Sequence, residues 1–304
     1  MSVSVIVAST TAPWVRRVAD YLELTKPRLS VLVLVTTAAG FWLGARPGES
    51  THRLWPALIG TALVVAGANA MNQWLERDLD GRMRRTQSRP LPAGRVSADA
   101  AWRFAAFVSA VGLMSLALFV NLLSAALAFI ASASYLFLYT PLKRATALCT
   151  LAGAIPGALP PVIGWVAARQ TIGVEAWGLF ALMFCWQLPH FLAIALMYRD
   201  DYARAGFRML PVIEHASSHA TARQIVLYCA VLVPLSVLPV LLGLGGPSYF
   251  YGALTLSVGL LAIAMHTALR PSPQAARRLF LASVLYLPLL LGWLVTGARG
   301  RSSG

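Results

Sequence analysis

Charge is what this chain has least of. Eleven Asp and Glu stand against 25 Lys and Arg, and the four types together make up only 12% of 304 residues. With 58% hydrophobic residues and a mean hydropathy of +0.68, too few polar side chains remain to dress a water-facing surface, which excludes an ordinary soluble enzyme. Cysteine is equally sparse. Cys149, Cys185 and Cys229 lie in apolar runs without a CxxC partner, so neither a disulfide framework nor a zinc site is expected. The formal charge is +14, yet the basic residues fall in short clusters between oily runs and nothing resembles a nucleic-acid fold. The expected partner is the lipid bilayer, not nucleic acid. The beginning, MSVSVIVASTTAPWVRRVADYLELTKPR, puts its charges after a short apolar stretch, the reverse of a signal peptide. It reads as a cytosolic lead-in over residues 1–20.

What is present is a series of membrane-length apolar runs. Scanning for about 18 or more mostly apolar residues predicts nine spans, near 29–45, 54–76, 100–119, 122–140, 147–167, 174–198, 222–243, 248–268 and 276–297. The expected fold is an all-α polytopic membrane protein: one transmembrane domain over 21–298 and a C-terminal tail over 299–304. Only Asn121 separates the third and fourth spans. With the N-terminus in the cytoplasm, twenty Lys and Arg fall on the cytoplasmic side against five on the other, the expected positive-inside bias. Nine of the eleven acids share the cytoplasmic side. The topology rule does not require acids there, so they need another cause.

The second span closes on NQWLERDLDGRMRRTQSRP, residues 72–90, with three acids and five arginines in nineteen residues. On a helix, Asn72, Glu76 and Asp80 recur at i, i+4 and i+8 and project along one face, while Asp78 points elsewhere. At a helix C-terminus the dipole disfavours each acid by roughly 0.3–1 kcal/mol, so a compensating cation is expected. A file of hard oxygen ligands suits a magnesium ion carrying a substrate phosphate. Arg85 and Arg89, four apart, can share a face and grip a diphosphate with the planar fork that lysine lacks. The bland alternative is a solvated, salt-bridged loop over 76–89. Against it, Asn72 and Trp74 lie at membrane depth, where polar groups tend to be functional.

The sixth span, LFALMFCWQLPHFLAIALMYRDDYARAGFRMLP, repeats the plan. Its acidic end carries Asp200 and Asp201, and two acidic clusters on one rim could hold two metal ions that bridge one diphosphate. Within it, WQLPHF sets Gln187 and His190 in hydrocarbon beside Pro189, which frees a backbone carbonyl. His190 is either hydrogen-bonded to a neighbouring helix or serves a large substrate as axial ligand or proton-transfer group. Lys26 and Arg28 open the first span, and Lys143 and Arg144 close the fourth, all on the acidic side as membrane anchors or phosphate contacts. The fifth span, with GAIPGALPPVIGW, should be closely packed, kinked and cavity-shaping.

Over residues 20–297 the chain resembles the intramembrane prenyltransferases of the UbiA superfamily, most closely the branch that farnesylates haem. The strings that carry the resemblance are LTKPR at 24–28, NQWLERDLDGRMRRTQSRPL at 72–91, YTPLKR at 139–144, GALPPVIGW at 157–165, WQLPHF at 186–191 and YRDDYARAGFRMLPV at 198–212. The resemblance implies a nine-helix bundle around a central cavity, with Mg2+ as cofactor and farnesyl diphosphate and haem b as substrates. The family motif N-x-x-x-D-x-x-x-D falls on Asn72, Glu76 and Asp80, with Glu where the middle Asp is commoner, and the second acidic motif falls on Asp200 and Asp201. Tyr139, Lys143 and Arg144 of YTPLKR, together with Lys26, Arg28, Arg85, Arg89 and His190, become the implied substrate contacts. LKR continues as ATALCT, where an asparagine is expected near Cys149. The implied reaction joins farnesyl to a haem b vinyl group with addition of water, giving haem O and diphosphate. It is expected on the cytoplasmic side of a bacterial inner membrane, with a haem A synthase or oxidase assembly protein as a further partner. The competing acceptor is an aromatic quinone precursor. Rival classes are a secondary transporter, whose carboxylates belong near the midplane, and a haem-binding assembly protein, which would release no diphosphate.

Overall fold

The computed structural model describes residues 12–46, 48–214 and 219–300, with side chains to 297. Residues 1–11 of the expected lead-in and 301–304 of the expected tail lie outside the described residues. In hydrocarbon a backbone must satisfy its own polar groups, so each apolar run closes into a helix. Among the described residues nine helices are long and apolar enough to cross a membrane, as many as the hydropathy scan predicts. In chain order the elements are α1 (Pro13–Leu24), α2 (Pro27–Gly44), α3 (Leu54–Leu75), the short α4 (Arg77–Asp80) and α5 (Ala98–Phe119). Next, α6 (Leu122–Ala133) passes through a π-helical turn, Ser134–Tyr139, into α7 (Thr140–Ala145). Then follow α8 (Cys149–Arg169), α9 (Val174–Met197), the short α10 (Arg199–Arg204) and α11 (Leu210–Ile213), α12 (Ala220–Leu241), α13 (Pro247–Leu269) and α14 (Pro273–Gly300).

The connection at Asn121 is as short as the sequence suggests. Its Oδ1 accepts the Ser124 N–H at 2.7 Å, an N-cap for α6, and its Nδ2 donates to the Val166 carbonyl at 3.1 Å. One side chain thus starts a helix and ties it to α8. Neighbouring spans pack in succession around the bundle, α14 returning against α2, and α8 packs against α2, α6 and α9. Accordingly 72% of the most apolar stretch of α8 is buried in protein, against 17% for α5. Despite Pro156, Pro160 and Pro161, α8 stays helical throughout.

The crossing of α2 and α8 is glycine-dependent. A Cβ on Gly164 would lie 1.8 Å from the Thr37 carbonyl oxygen, and one on Gly40 would lie 1.9 Å from that of Pro161. Backbone cannot yield as a side chain can, so small residues are required here. Gly164→Val is expected to lower stability by about 1–3 kcal/mol or more through overpacking, read as a fall in thermal unfolding temperature in detergent.

From Pro13 the expected lead-in is not a plain tail. Trp14, Val18 and Leu22 of α1 are exposed along one stripe, a pattern suited to a membrane interface. The opposite side is held down: Leu24 is buried, Tyr21 packs its ring on Phe104 at 5.0 Å, and Arg95 pairs with Asp20 and, at 2.7 Å, with Glu23. The end of α1 is therefore fixed beside α3.

Candidate active site

The three oxygen ligands do not lie on one unbroken helix. The i, i+4, i+8 expectation fails at Glu76, whose φ of −99° and ψ of 8° end α3 and start α4. All three nevertheless line one chamber. The reason is visible in the backbone: the Asp80 N–H still bonds the Glu76 carbonyl at 2.7 Å, and Thr86 Oγ1 donates to the Asp80 carbonyl at 2.8 Å. The acids are thus curled back over the mouth, while Asp78 points to solvent with 83% of its side chain exposed. The sixth span repeats this break. Tyr198, with φ −115° and ψ 26°, separates α9 from α10, and Arg85 lies over its ring at 5.0 Å. The Arg208 N–H bonds the Lys143 carbonyl at 2.6 Å. The polar ends of both acidic spans, and of the fourth, therefore meet at one mouth.

Each ligand is held by a neighbour. Lys143 Nζ bonds both Glu76 carboxylate oxygens, at 2.8 and 3.0 Å. Arg89 Nη1 bonds Asp80 Oδ2 at 2.7 Å. Asn72 donates its Nδ2 to Thr140 Oγ1 at 3.1 Å, which turns its Oδ1 towards Lys26 Nζ at 3.2 Å. Thr140, not singled out from the sequence beyond its place in YTPLKR, caps the π-helical turn: its N–H and Oγ1 both bond the Tyr135 carbonyl. The wider turn sets Tyr135, Tyr139 and Lys143 all on the chamber wall, with the Lys143 ammonium 4.5 Å from the Tyr139 ring centre.

Lys26 reaches the mouth because the chain is bent for it. It sits in the left-handed region at φ 50°, ψ 60°, a strain of about 1–3 kcal/mol for a non-glycine residue. Gln73 Nε2 holds the Leu24 carbonyl at 2.8 Å and Asn69 Nδ2 the Thr25 carbonyl at 3.1 Å. The polar Asn69 and Gln73, which the sequence reading did not assign, therefore pin this elbow. Desolvation, followed by repulsion from Arg89 and Lys143, pushes the Lys26 ammonium down to about 7. Four cations, Lys26, Arg85, Arg89 and Lys143, line the chamber against two carboxylates, so the mouth calls for an anion.

The donor set fits a magnesium ion shared with that anion. Among the described residues no group of three His, Cys, Asp or Glu gathers for a metal, which argues against an all-protein cage. Magnesium, however, commonly takes one or two carboxylates and leaves the rest of its shell to water and substrate phosphate. Asp80 Oδ1 is buried with no hydrogen-bond partner. Such an oxygen is costly unless something binds it, and Asn72 Oδ1 is already turned to the same space.

Not every expected contact arrives. Arg28 and Arg144 are exposed and do not line the chamber. In each basic pair one residue turns in and the other faces out as an anchor. Arg85 and Arg89 do line it, though from a run of turns over 81–96 and not from a shared helical face. Asp200 is exposed, and Asp201 is buried in an ion pair with Arg204 one turn on. Neither acid lines the chamber, and from α10 it is Tyr202 that does. This short helix sets its Tyr202 ring on the chamber wall, while Asp201 turns to Arg204 and Asp200 is exposed. Arg28→Ala and Arg144→Ala should each shift KM for the anionic substrate by no more than roughly twofold, the scale of about 0.5 kcal/mol seen for surface changes, as measured by initial-rate kinetics.

From the mouth the chamber, about 460 Å³ in volume, runs into the bundle. That is the size of a ligand pocket. Thr61 and Asn72 both line it, and the eleven residue steps of α3 from one to the other span about 16 Å. One side is aliphatic, with Leu29, Leu32 and Val33 of α2 and Val64 and Val65 of α3. The other is built from Gly153, Pro156, Gly157 and Pro160 of α8 and from Trp186 and His190 of α9. Gln187 braces that wall, donating to the Met183 carbonyl at 2.9 Å and the Ala154 carbonyl at 3.4 Å. His190 Nδ1 lies 2.8 Å from Ser283 Oγ on α14. The hydrogen bond to a neighbouring helix is thus present, and His190 also lines the chamber. Cys149, near the expected asparagine, is buried and does not line the chamber.

The model of the UbiA prenyltransferase family matches residues 33–296 of this chain. A protoheme IX farnesyltransferase from Solibacter usitatus (strain Ellin6076) is 47% identical over 290 residues, 92% of this chain and 99% of that one. A solved structure of digeranylgeranylglyceryl phosphate synthase superposes with a TM-score of 0.77 at 18% identity, over 93% of this chain and 99% of that one. A UbiA homolog from Archaeoglobus fulgidus bound to GPP and Mg2+ gives 0.64 at 18% identity, over 90% and 99%. At such identities the two structures speak for the fold alone.

Proposed function

Because the chain belongs to the UbiA prenyltransferase family, and within it to the protoheme IX farnesyltransferases, we infer that it transfers the farnesyl group of farnesyl diphosphate to a vinyl group of haem b, with addition of water, giving haem O and diphosphate. The observation that carries this reading is a single chamber joining a cationic mouth, an aliphatic wall and a broad wall of glycine, proline and aromatic residues. The diphosphate takes the mouth, where Arg85 and Arg89 offer planar forks and Lys26 and Lys143 point charges. The fifteen-carbon tail lies along α2 and α3, and the flat porphyrin lies against α8 and α9. Residues 21–298 act as one catalytic unit.

The reaction asks the protein to take charge from one place and supply it at another. The C–O bond at the allylic carbon breaks and its electron pair leaves with the diphosphate, which the four cations stabilise in place. Asn72, Glu76 and Asp80 would hold a magnesium ion, which would supply further neutralisation of the leaving oxygens. The apolar walls keep bulk water from the allylic cation until the terminal vinyl carbon bonds to it. The cation then resides on the vinyl carbon next to the macrocycle, which takes the oxygen of one water and loses a proton. The rim faces the cytoplasm of a bacterial inner membrane, a reading supported by the twenty-to-five bias of Lys and Arg. The product is as oily as the chamber, so whatever consumes it, a haem A synthase or an oxidase assembly protein, meets it within the bilayer.

The test is mass spectrometry of haem extracted after the purified protein has been incubated with haem b, farnesyl diphosphate and magnesium. The expected species carries one farnesyl group and one water. Farnesyl on a quinone precursor, with haem unchanged, would overturn the acceptor assignment.

A further inference from the structure

We propose that His190 is the axial ligand of the haem iron, through Nε2, and that Ser283 is the positioning residue that makes this nitrogen available. The inference rests on haem b being the acceptor. It begins with proton bookkeeping at one hydroxyl. Ser283 Oγ lies 2.6 Å from the Phe280 carbonyl oxygen. A carbonyl has no proton to give, so the single serine proton points to Phe280. Ser283 Oγ is then an acceptor towards His190 Nδ1, at 2.8 Å, and Nδ1 carries the imidazole proton. In the neutral ring Nε2 is left with its lone pair.

Where that lone pair points is equally constrained. The imidazole is stacked between Trp186 and Phe280, each with its ring centre 5.1 Å away and inclined by 21° and 29°. Trp186 Nε1 donates to the Ser283 carbonyl at 2.8 Å, locking α9 to α14 at this level. Nε2 makes no hydrogen bond among the described residues and is not one of the buried polar atoms left without a partner; His190 itself lines the chamber. A histidine kept only for packing would satisfy or bury its second nitrogen. A fixed tautomer with one nitrogen bonded behind and the other free in front is the arrangement of a metal-ligating imidazole. His52, His219 and His266, the other described histidines, do not line the chamber. Bonding iron here would fix the height and tilt of the macrocycle on α9, and with it the distance of a vinyl group from the allylic carbon.

The test titrates haem b into the purified full-length protein in detergent, without farnesyl diphosphate, and records the iron–histidine stretch of the ferrous complex by resonance Raman spectroscopy. The wild type should show the band, and 15N-histidine labelling should shift it, a result that needs no variant to fold. His190→Ala should lose the band and regain a ligated spectrum with added imidazole. Ser283→Ala should keep haem but bind it about 10–100-fold more weakly, the range for second-shell partners of metal-bound histidine, with the band displaced. Ser283→Thr should restore both. A band unchanged in His190→Ala overturns the ligand, and one unchanged in Ser283→Ala overturns the positioning role. A wild type that farnesylates haem b with no histidine band sinks this proposal alone. Failure to farnesylate haem b at all, with the band present, sinks the acceptor assignment and with it the role of this ligand in placing a vinyl group.

Discussion

Asp80→Asn is expected to cut turnover of farnesyl diphosphate by about 10²–10³-fold, the range for losing one preorganised electrostatic contact to a transition state, while the protein still folds. The exchange keeps shape and removes charge. It spares the pairing framework, because Arg89, with 21% of its side chain exposed, can turn to water. What it removes is the buried Oδ1 that no protein group uses. Charge on the diphosphate grows as the C–O bond breaks, so the loss should fall on kcat more than on KM. Steady-state kinetics with labelled farnesyl diphosphate separate the two. Activity within threefold of wild type would remove Asp80 from the metal and leaving-group role.

Glu76→Ala should differ, because it strands a charge. Lys143 is only 7% exposed, and Glu76 is its carboxylate partner. Removing one member of a buried pair costs about 3–5 kcal/mol, most of it from the uncompensated partner. The Tyr139 and Phe207 rings, 4.5 and 5.5 Å from the ammonium, recover part of that. Glu76→Ala is therefore expected to lower the unfolding temperature as well as the rate. The double variant Glu76→Gln/Lys143→Met should recover stability and stay inactive. Recovery of activity with stability would mean that Glu76 serves only to neutralise Lys143.

The sequence made the spans legible because a bilayer accepts few alternatives to a long apolar helix, and the hydropathy record is direct. It made Asn72, Glu76 and Asp80 legible as a group, since four-residue spacing survives even the break at Glu76. It did not disclose that break, nor the π-helical turn that aims Tyr135, Tyr139 and Lys143 inward, because both preserve composition. Nor could it tell Lys26 from Arg28. A left-handed φ at one residue, held by Asn69 and Gln73, decides which cation enters, and no count of charges contains that angle. The second acidic run hid its geometry for a similar reason: after Tyr198 one short helix sets Tyr202 on the chamber wall, with Asp200 and Asp201 beside it and not on it.

Both carboxylates of the mouth are neutralised in pairs, Lys143 with Glu76 and Arg89 with Asp80, and that bears on how the chain reaches the membrane at all. Ionised side chains inserted singly into hydrocarbon are each penalised by roughly 2.5–3.5 kcal/mol, but here every carboxylate of the mouth arrives with a built-in counterion. Biogenesis then needs no divalent ion, and the idle enzyme can wait in the bilayer intact. A chelator should accordingly silence product formation without shifting the melting curve.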